Sequence, residues 1–134
     1  MKAFWHEFFS DAELACRCGC GEQQMKDAFL RRLVDLRIEL DFAFIVSSAY
    51  RCPRHNQAVA TTGSDGPHTT GRAVDLLVYG FRAMAILEAA ARFGMTGIGL
   101  RQHGPHRSRF LHLDDLPAAP GRPRPWVWTY CPPA

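Results

Sequence analysis

The feature that most constrains this 134-residue sequence is a carboxylate inside an apolar run. The segment SDGPHTTGRAVDLLV, residues 64–78, changes within a few residues from a polar loop rich in glycine and proline to a stretch typical of a β-strand. His68 lies in the loop, and Asp75 follows seven residues later within the run. Burying a bare carboxylate is costly, so we expect Asp75 to face a cation or a hydrogen-bond donor.

Length and composition predict one soluble domain spanning residues 1–134. Apolar residues make up 47% of the chain and charged residues 22%, which is ordinary for a globular protein. The net charge of +3 without a long basic run argues against a nucleic-acid partner. No segment is apolar enough over a sufficient length for a membrane span or a signal peptide, so a cytoplasmic protein, as synthesised, is expected.

Periodicity predicts helices in the first half of the chain. Ser10 and Glu13 have the spacing of a capping box that opens a short helix. Apolar residues at steps of three and four from Met25 to Leu40 predict an amphipathic helix. The aromatic and β-branched stretch 42–50 predicts a strand, and a short helix is expected from Pro53 to about Ala60.

The second half alternates strands with one strong helix. That helix, RAMAILEAAARFG, should end at Gly94. Strands are expected in AVDLLVY, TGIGL and RFLHLDD, and the Pro-rich tail 116–134 is expected to be mostly irregular, although 126–130 has the pattern of an edge strand. The pattern predicts an α+β fold with a small, mainly antiparallel sheet flanked by helices, and a core at about 4–115.

Five cysteines are many for a cytosolic protein of this size; they are Cys16, Cys18, Cys20, Cys52 and Cys131. The run CRCGCG has the residues of a zinc knuckle, but structural zinc sites usually space their cysteines C-x(2–4)-C, and the sequence has no CxxC pair. We therefore favour a stiff Cys/Gly loop, bridged to Cys52 in an oxidising compartment. The odd number leaves at least one thiol free.

Three side chains form a candidate metal site. His68, Asp75 and His112 supply two imidazoles and a carboxylate, a set that suits a catalytic zinc with a fourth position open to water. A cation would offset the desolvation of Asp75. In FLHLD, Phe110, His112 and Asp114 alternate with apolar residues and therefore share one face of a strand.

The spacing of these residues resembles the M15 zinc peptidases, which include D-alanyl-D-alanine carboxypeptidases and related cell-wall endopeptidases and whose superfamily contains the Hedgehog domain. H-x-x-G-x-A-x-D and the strand FLHLD are similar to the family's metal motifs. FSDAELACRCGCG, VSSAYRCPRHN and GIGL are similar to other family segments and follow the same order. The resemblance implies a Hedgehog/DD-peptidase-like fold and one zinc ion per chain, held by His68, Asp75 and His112.

Further site residues follow from the same resemblance. Arg51 matches the arginine that binds substrate, and its guanidinium would stabilise the oxyanion of a peptide carbonyl. His55 and Asn56 match the motif too, but a role in bracing the short helix is favoured for them. For Ser47 and Ser48, substrate contact and a strand-ending role both stay open.

The sequence departs from the family pattern at two positions. Gly66 replaces a common serine, and Arg109 occupies the position of the usual acidic general base, a task that arginine cannot perform at neutral pH. The candidates for the missing base are His106, His103 and Asp114. Of these, His106 and Asp114 are assigned to proton transfer, and Asp114 has the alternative role of orienting His112.

These observations predict a monomeric zinc peptidase that hydrolyses peptidoglycan stem peptides, as a carboxypeptidase or an endopeptidase. A compact domain of this kind fits a phage or prophage lysin that reaches the cell wall when a holin releases it. Arg109 supports an alternative, a zinc-containing module that binds cell-wall peptides or serves in a phage structure without cutting.

Overall fold

The computed structural model describes residues 2–130; Cys131 and the last three residues of the proline-rich tail lie outside that range. The four α-helices are α1 (Asp11–Leu14), α2 (Asp27–Leu40), α3 (Pro53–Val59) and α4 (Gly80–Ala90). Short 3-10 turns occupy Phe4–Glu7, Pro67–Thr70, Ala91–Phe93 and His106–Ser108. The strands are β1 (Ile45–Ser48), β2 (Ala73–Leu77), β3 (Gly97–Arg101), β4 (Phe110–Asp114) and β5 (Trp126–Thr129).

The five strands form one sheet in the order β1-β2-β4-β3-β5. Every pairing is antiparallel except that of β3 with β5, which is parallel. The α+β architecture with a mainly antiparallel sheet is therefore confirmed. The edge strand considered for 126–130 forms at Trp126–Thr129, and it extends the sheet beyond the expected core.

The two faces of the sheet have different chemistry. Leu111 and Leu113 of β4, together with Val74 and Leu76 of β2, are buried in the core cluster that α2 and α4 complete. Strand residues alternate between faces, so Asp75 and His112 lie on the face opposite the helices. Because they are register partners in neighbouring strands, they are held side by side.

Most predicted element ends agree with the structure. The capping box is confirmed: Ser10 Oγ accepts from the Glu13 amide at 3.1 Å, and Glu13 accepts from the Ser10 amide at 3.0 Å. Gly94 ends the α4 region with φ at +87°, as expected for a C-terminal glycine. The strand predicted for 42–50 covers only Ile45–Ser48, and Phe42 and Phe44 before it lie with their ring centroids 5.5 Å apart. Within residues 2–130, no helix has the length and apolar character that crossing a bilayer requires.

Candidate metal centre and adjoining groove

The three predicted ligands converge at the centre of the polar sheet face. His68 comes from the 3-10 turn that precedes β2, Asp75 from the middle of β2, and His112 from the middle of β4. Their ligand atoms lie within 4.8 Å of one another. All three side chains are largely buried.

The spacing of the ligand atoms fits a tetrahedral ion. Asp75 Oδ1 lies 3.2 Å from His68 Nε2 and 3.1 Å from His112 Nδ1. Zinc bonds of about 2.0–2.1 Å to nitrogen and oxygen separate tetrahedral ligands by about 3.3–3.4 Å. The residues present therefore fit a small divalent metal, with three protein ligands.

Each imidazole is oriented through its other nitrogen. His68 Nδ1 donates to the Ala49 carbonyl at 2.7 Å, and His112 Nε2 donates to Asp114 Oδ2 at 2.7 Å. Such partners fix the tautomer that turns the free nitrogen toward a metal. The arrangement thus presents His68 Nε2 and His112 Nδ1 as ligand atoms.

Asp114 lies behind His112, away from Asp75. Its side chain is fully buried, and it accepts two hydrogen bonds from Arg124, to Oδ1 at 2.9 Å and to Oδ2 at 2.8 Å. Burial raises the pKa of Asp114, but His112 and Arg124 outweigh it and hold the pKa below its ordinary value. With both oxygens occupied, Asp114 positions His112, and the structure gives it no path to the proton transfer also assigned to it.

Electrostatics favour an ionised Asp75 between the two rings. Burial raises the pKa of Asp75, but His68 and His112 outweigh it and bring the pKa below its ordinary value. Burial lowers the pKa of His112, but its contacts with Asp114 and Asp75 outweigh burial, so the pKa lies above its ordinary value. Asp75 thus has an imidazole nitrogen within hydrogen-bond distance on each side, so its carboxylate is not left bare in the apolar run.

Arg51 follows β1 and lines the groove beside these ligands. Its guanidinium donates to Asn56 Oδ1 at 2.9 Å and to Ser48 Oγ at 3.1 Å, and its amide donates to the His68 carbonyl at 3.2 Å. Asn56 is buried and also donates to the loop at Thr62. Ser48 and Asn56 thus brace the arginine.

The groove has a volume of about 1070 Å³, and its far wall comes from the tail. Trp128 lies against His112, with 5.0 Å between ring centroids, and Tyr130 lies at the groove edge. Burial and the charge of Asp75 raise the pKa of the Tyr130 phenol. The roles of Trp128, Tyr130 and Arg124 were not predicted from sequence. The edge-strand pattern at 126–130 gave no indication that Trp128 would lie against His112.

Comparison with known protein families shows the family to which the chain belongs. The family described as Peptidase M15 matches residues 7–114, which include all three ligands and Arg51. The chain belongs to the peptidase M15 family. This family consists of metallopeptidases, so the resemblance found from the motifs is confirmed and the chain is assigned to the peptidases. Comparison with curated proteins and with solved structures gave no significant match.

In this M15 peptidase, His106 is separated from the groove. Its ring stacks on Tyr79 with centroids 4.4 Å apart and lines a second, more apolar groove with Phe42 and Phe81. The His103 ring and the Arg109 guanidinium do not line the metal groove either; Arg109 donates to the Gly104 carbonyl at 3.0 Å. The structure therefore does not bring the sequence-predicted base to the ligands.

The first departure from the M15 pattern has a steric reason. A Cβ atom at Gly66 would overlap the Thr62 hydroxyl and stand 3.2 Å from Asn56 Nδ2. The loop before His68 therefore packs directly on the residues that brace Arg51. A serine at this position would require the loop to shift.

Proposed function

We propose that this protein is a zinc-dependent peptidase that hydrolyses peptidoglycan stem peptides. The observation that carries the proposal is that His68 Nε2 and His112 Nδ1 lie 3.2 and 3.1 Å from Asp75 Oδ1, close to the spacing of zinc ligands, beside a groove that Arg51 lines. Zinc bound by these atoms would supply a Lewis acid that polarises a peptide carbonyl and lowers the pKa of water.

Arg51 is placed to stabilise negative charge on the substrate. Hydrolysis adds the oxygen of water to the carbonyl carbon, breaks the C–N bond and returns a proton to the leaving amine. Charge develops on the carbonyl oxygen during this reaction, and a guanidinium braced by Asn56 and Ser48 offers fixed donors to it. Bracing lowers the reorganisation needed when the substrate reacts.

Two further side chains line the groove and suit proton handling. Among the described groove residues, Asp65 and Tyr130 are the titratable groups that are neither ligands nor arginines. Asp65 is an exposed carboxylate on the groove wall, so we assign it to accepting a proton. Tyr130 keeps its proton, because its pKa is raised, and can donate to the substrate.

The groove lining supports a short peptide with a terminal carboxylate as substrate. Arg51 and Arg122 supply positive charge, and Trp126 and Trp128 supply flat apolar surface. Guanidinium groups pair with carboxylates through parallel hydrogen bonds. A stem peptide that ends in D-alanine carries such a carboxylate next to small apolar side chains.

Activity on defined substrates tests the proposal. Zinc-loaded protein is incubated with a synthetic peptide ending in D-Ala-D-Ala, with its L-Ala-L-Ala counterpart, and with purified sacculi. We expect chelator-sensitive cleavage of the D-peptide or of sacculus cross-links, and no cleavage of the L-peptide. Released D-alanine identifies a carboxypeptidase, whereas new amines within cross-links identify an endopeptidase.

Arg109 in the usual position of the acidic base favours a second candidate, a cell-wall-binding module without catalysis. It predicts that zinc-loaded protein co-sediments with sacculi while their peptides stay intact. Cleavage by the wild type, abolished in His112→Ala, rules this candidate out.

A further inference from the structure

Four cysteines from two parts of the chain meet beside α3. Cys16, Cys18 and Cys20 lie between α1 and α2, and Cys52 immediately precedes α3. Their sulfur atoms all lie within 4.8 Å of one another. All four are free thiols; Cys16 and Cys52 are buried, and Cys18 and Cys20 face solvent.

The sulfur spacing is that of ligands sharing one ion. Cys18 Sγ lies 3.5 Å from Cys16 Sγ and 3.7 Å from Cys52 Sγ. A tetrahedral zinc with Zn–S bonds of about 2.3 Å separates its sulfurs by about 3.8 Å. The sulfurs of a disulfide lie about 2.05 Å apart. The four thiols are therefore arranged around a common centre and not as bonded pairs.

The backbone around the cluster is built for thiolates. The Cys52 amide donates to Cys16 Sγ at 3.3 Å, and the His55 amide donates to Cys52 Sγ at 3.4 Å. Amide donors to sulfur offset the negative charge of metal-bound thiolates. Gly19 and Gly21 have φ of +89° and +78°, a left-handed conformation that turns the loop tightly around the cluster.

We propose that Cys16, Cys18, Cys20 and Cys52 hold one structural zinc ion, separate from the centre at His68, Asp75 and His112. Four protein thiolates close the coordination sphere, which is the pattern of structural zinc sites. The sequence argued against zinc because it has no CxxC pair. In the fold, the glycine turns and the distant Cys52 supply the geometry that local spacing lacks.

The second ion would fix the backbone that carries Arg51. It joins the 16–20 loop to Cys52, the residue after Arg51. The same region is joined by a hydrogen bond from the Tyr50 amide to the Leu14 carbonyl at 3.2 Å. The thiolate site is thus placed to hold the groove wall in position without touching the substrate.

Zinc stoichiometry of the full chain tests this inference. Protein is purified reduced and without oxygen, loaded with zinc, desalted and analysed for metal and thiols. We expect two zinc ions per wild-type chain, one in Cys18→Ser/Cys20→Ser and one in His112→Ala. The matched control Cys131→Ser should keep two. The two sites can therefore be tested separately. If the wild type binds one zinc ion and His112→Ala still binds it, the thiolate site is supported and the proposed catalytic centre is not.

X-ray absorption on zinc-loaded His112→Ala identifies the ligands without any cysteine substitution. We expect four sulfur neighbours at about 2.3 Å. Cobalt in the same variant should give sulfur-to-cobalt charge-transfer bands, which Cys18→Ser/Cys20→Ser should lack. The inference is overturned if His112→Ala binds no zinc, if its zinc has only nitrogen and oxygen neighbours, or if the intact mass of unreduced protein shows disulfides among the four cysteines.

Discussion

At the scale of single residues, two carboxylates flank His112 and do different things. Asp75 contacts His112 Nδ1 and faces the groove, whereas Asp114 contacts Nε2 and is enclosed with Arg124. Asp75 is available to a metal, whereas Asp114 fixes the orientation of the His112 ring. The same residue type can therefore act as a candidate metal ligand or as a support for the ring, according to the side of the ring that it occupies.

Replacing Arg51 should separate catalysis from metal binding. Arg51→Ala removes the donor for the oxyanion, so we expect kcat/KM to fall about 10²–10³-fold with zinc content unchanged. Arg51→Lys should recover only part, because lysine lacks the planar fork. Arg54→Ala, an exposed arginine on α3, is the control and should turn over like the wild type. Normal turnover in Arg51→Ala would make Arg51 a structural residue.

Asp114→Asn should weaken zinc binding at the histidine centre by about 10–100-fold, the usual effect of losing a partner that orients a ligand. Competition with a chromogenic chelator measures the change. Asp115→Asn is a matched control, because that buried carboxylate pairs with Arg72 and Arg32 and does not contact His112. Equal zinc loss in both variants would indicate general destabilisation in place of a specific role for Asp114.

At the scale of elements, two glycines of β3 make room for the site. Gly97 and Gly99 are the register partners of Asp114 and His112. A side chain at Gly97 would overlap the Asp114 carboxylate, and a Cβ atom at Gly99 would stand 2.6 Å from Trp128 Nε1. The motif TGIGL is therefore a strand whose missing side chains let residues from β4 and β5 fill the polar face.

Gly99→Ala should lower the free energy of unfolding by about 1–3 kcal/mol, the usual effect of overpacking. In a Trp128→Ala background the added methyl group has space, so Gly99→Ala should lower the free energy of unfolding by markedly less. Denaturant unfolding of the wild type, the two single variants and the double variant gives the coupling free energy between positions 99 and 128. Additive effects would show that Trp128 does not limit the space at Gly99.

The loop at 102–109 and the loop before His68 offer rival proton acceptors. Asp65→Asn should lower turnover about 10²–10⁴-fold with zinc retained, because Asp65 lines the groove. His106→Ala should stay within about twofold of wild type, because its ring stacks on Tyr79 outside the groove. A large loss in His106→Ala alone would instead show that its loop closes over the groove during turnover, as the sequence-based assignment requires.

At the scale of the whole molecule, sequence predicted what depends on local pattern. The convergence of His68, Asp75 and His112, the shared face of Phe110, His112 and Asp114, and the end of α4 at Gly94 all follow from motif and period. The sequence placed the Cys/Gly loop beside Cys52, but as a bridge, whereas the four cysteines are free. The gathering of four sulfurs and the separation of His106 from the groove were not predicted, because both depend on how distant loops pack. The Arg124 contact with Asp114 was missed for the same reason, since it bridges the tail and β4.

Metal-free and zinc-loaded protein should respond to pH in opposite ways. The pKa values of Asp75 and Asp114 are lowered on folding, so their contribution is present above about pH 4 and is lost as pH falls further. The pKa of His112 is raised, so its contribution is complete below about pH 6.5 and is lost as pH rises through the folded value. Metal-free protein should therefore be most stable between about pH 4 and 6.5.

Zinc reverses this trend, because the metal needs neutral imidazoles and protons compete with it. Thermal unfolding from pH 4 to 8, with zinc or with chelator, should show stabilisation by zinc that grows with pH. Metal-free His112→Gln is the control and should lose the decline above about pH 6.5. A decline that persists in this variant would assign it to another group.

The position of β5 also affects when the site is completed during synthesis. The ribosome adds His68, Asp75 and His112 before it adds Arg124 and Trp128. Until segment 116–130 is released and β5 pairs with β3, Asp114 lacks its arginine and the groove lacks one wall. A nascent chain that already carries His68, Asp75 and His112 therefore has an unfinished site until β5 docks.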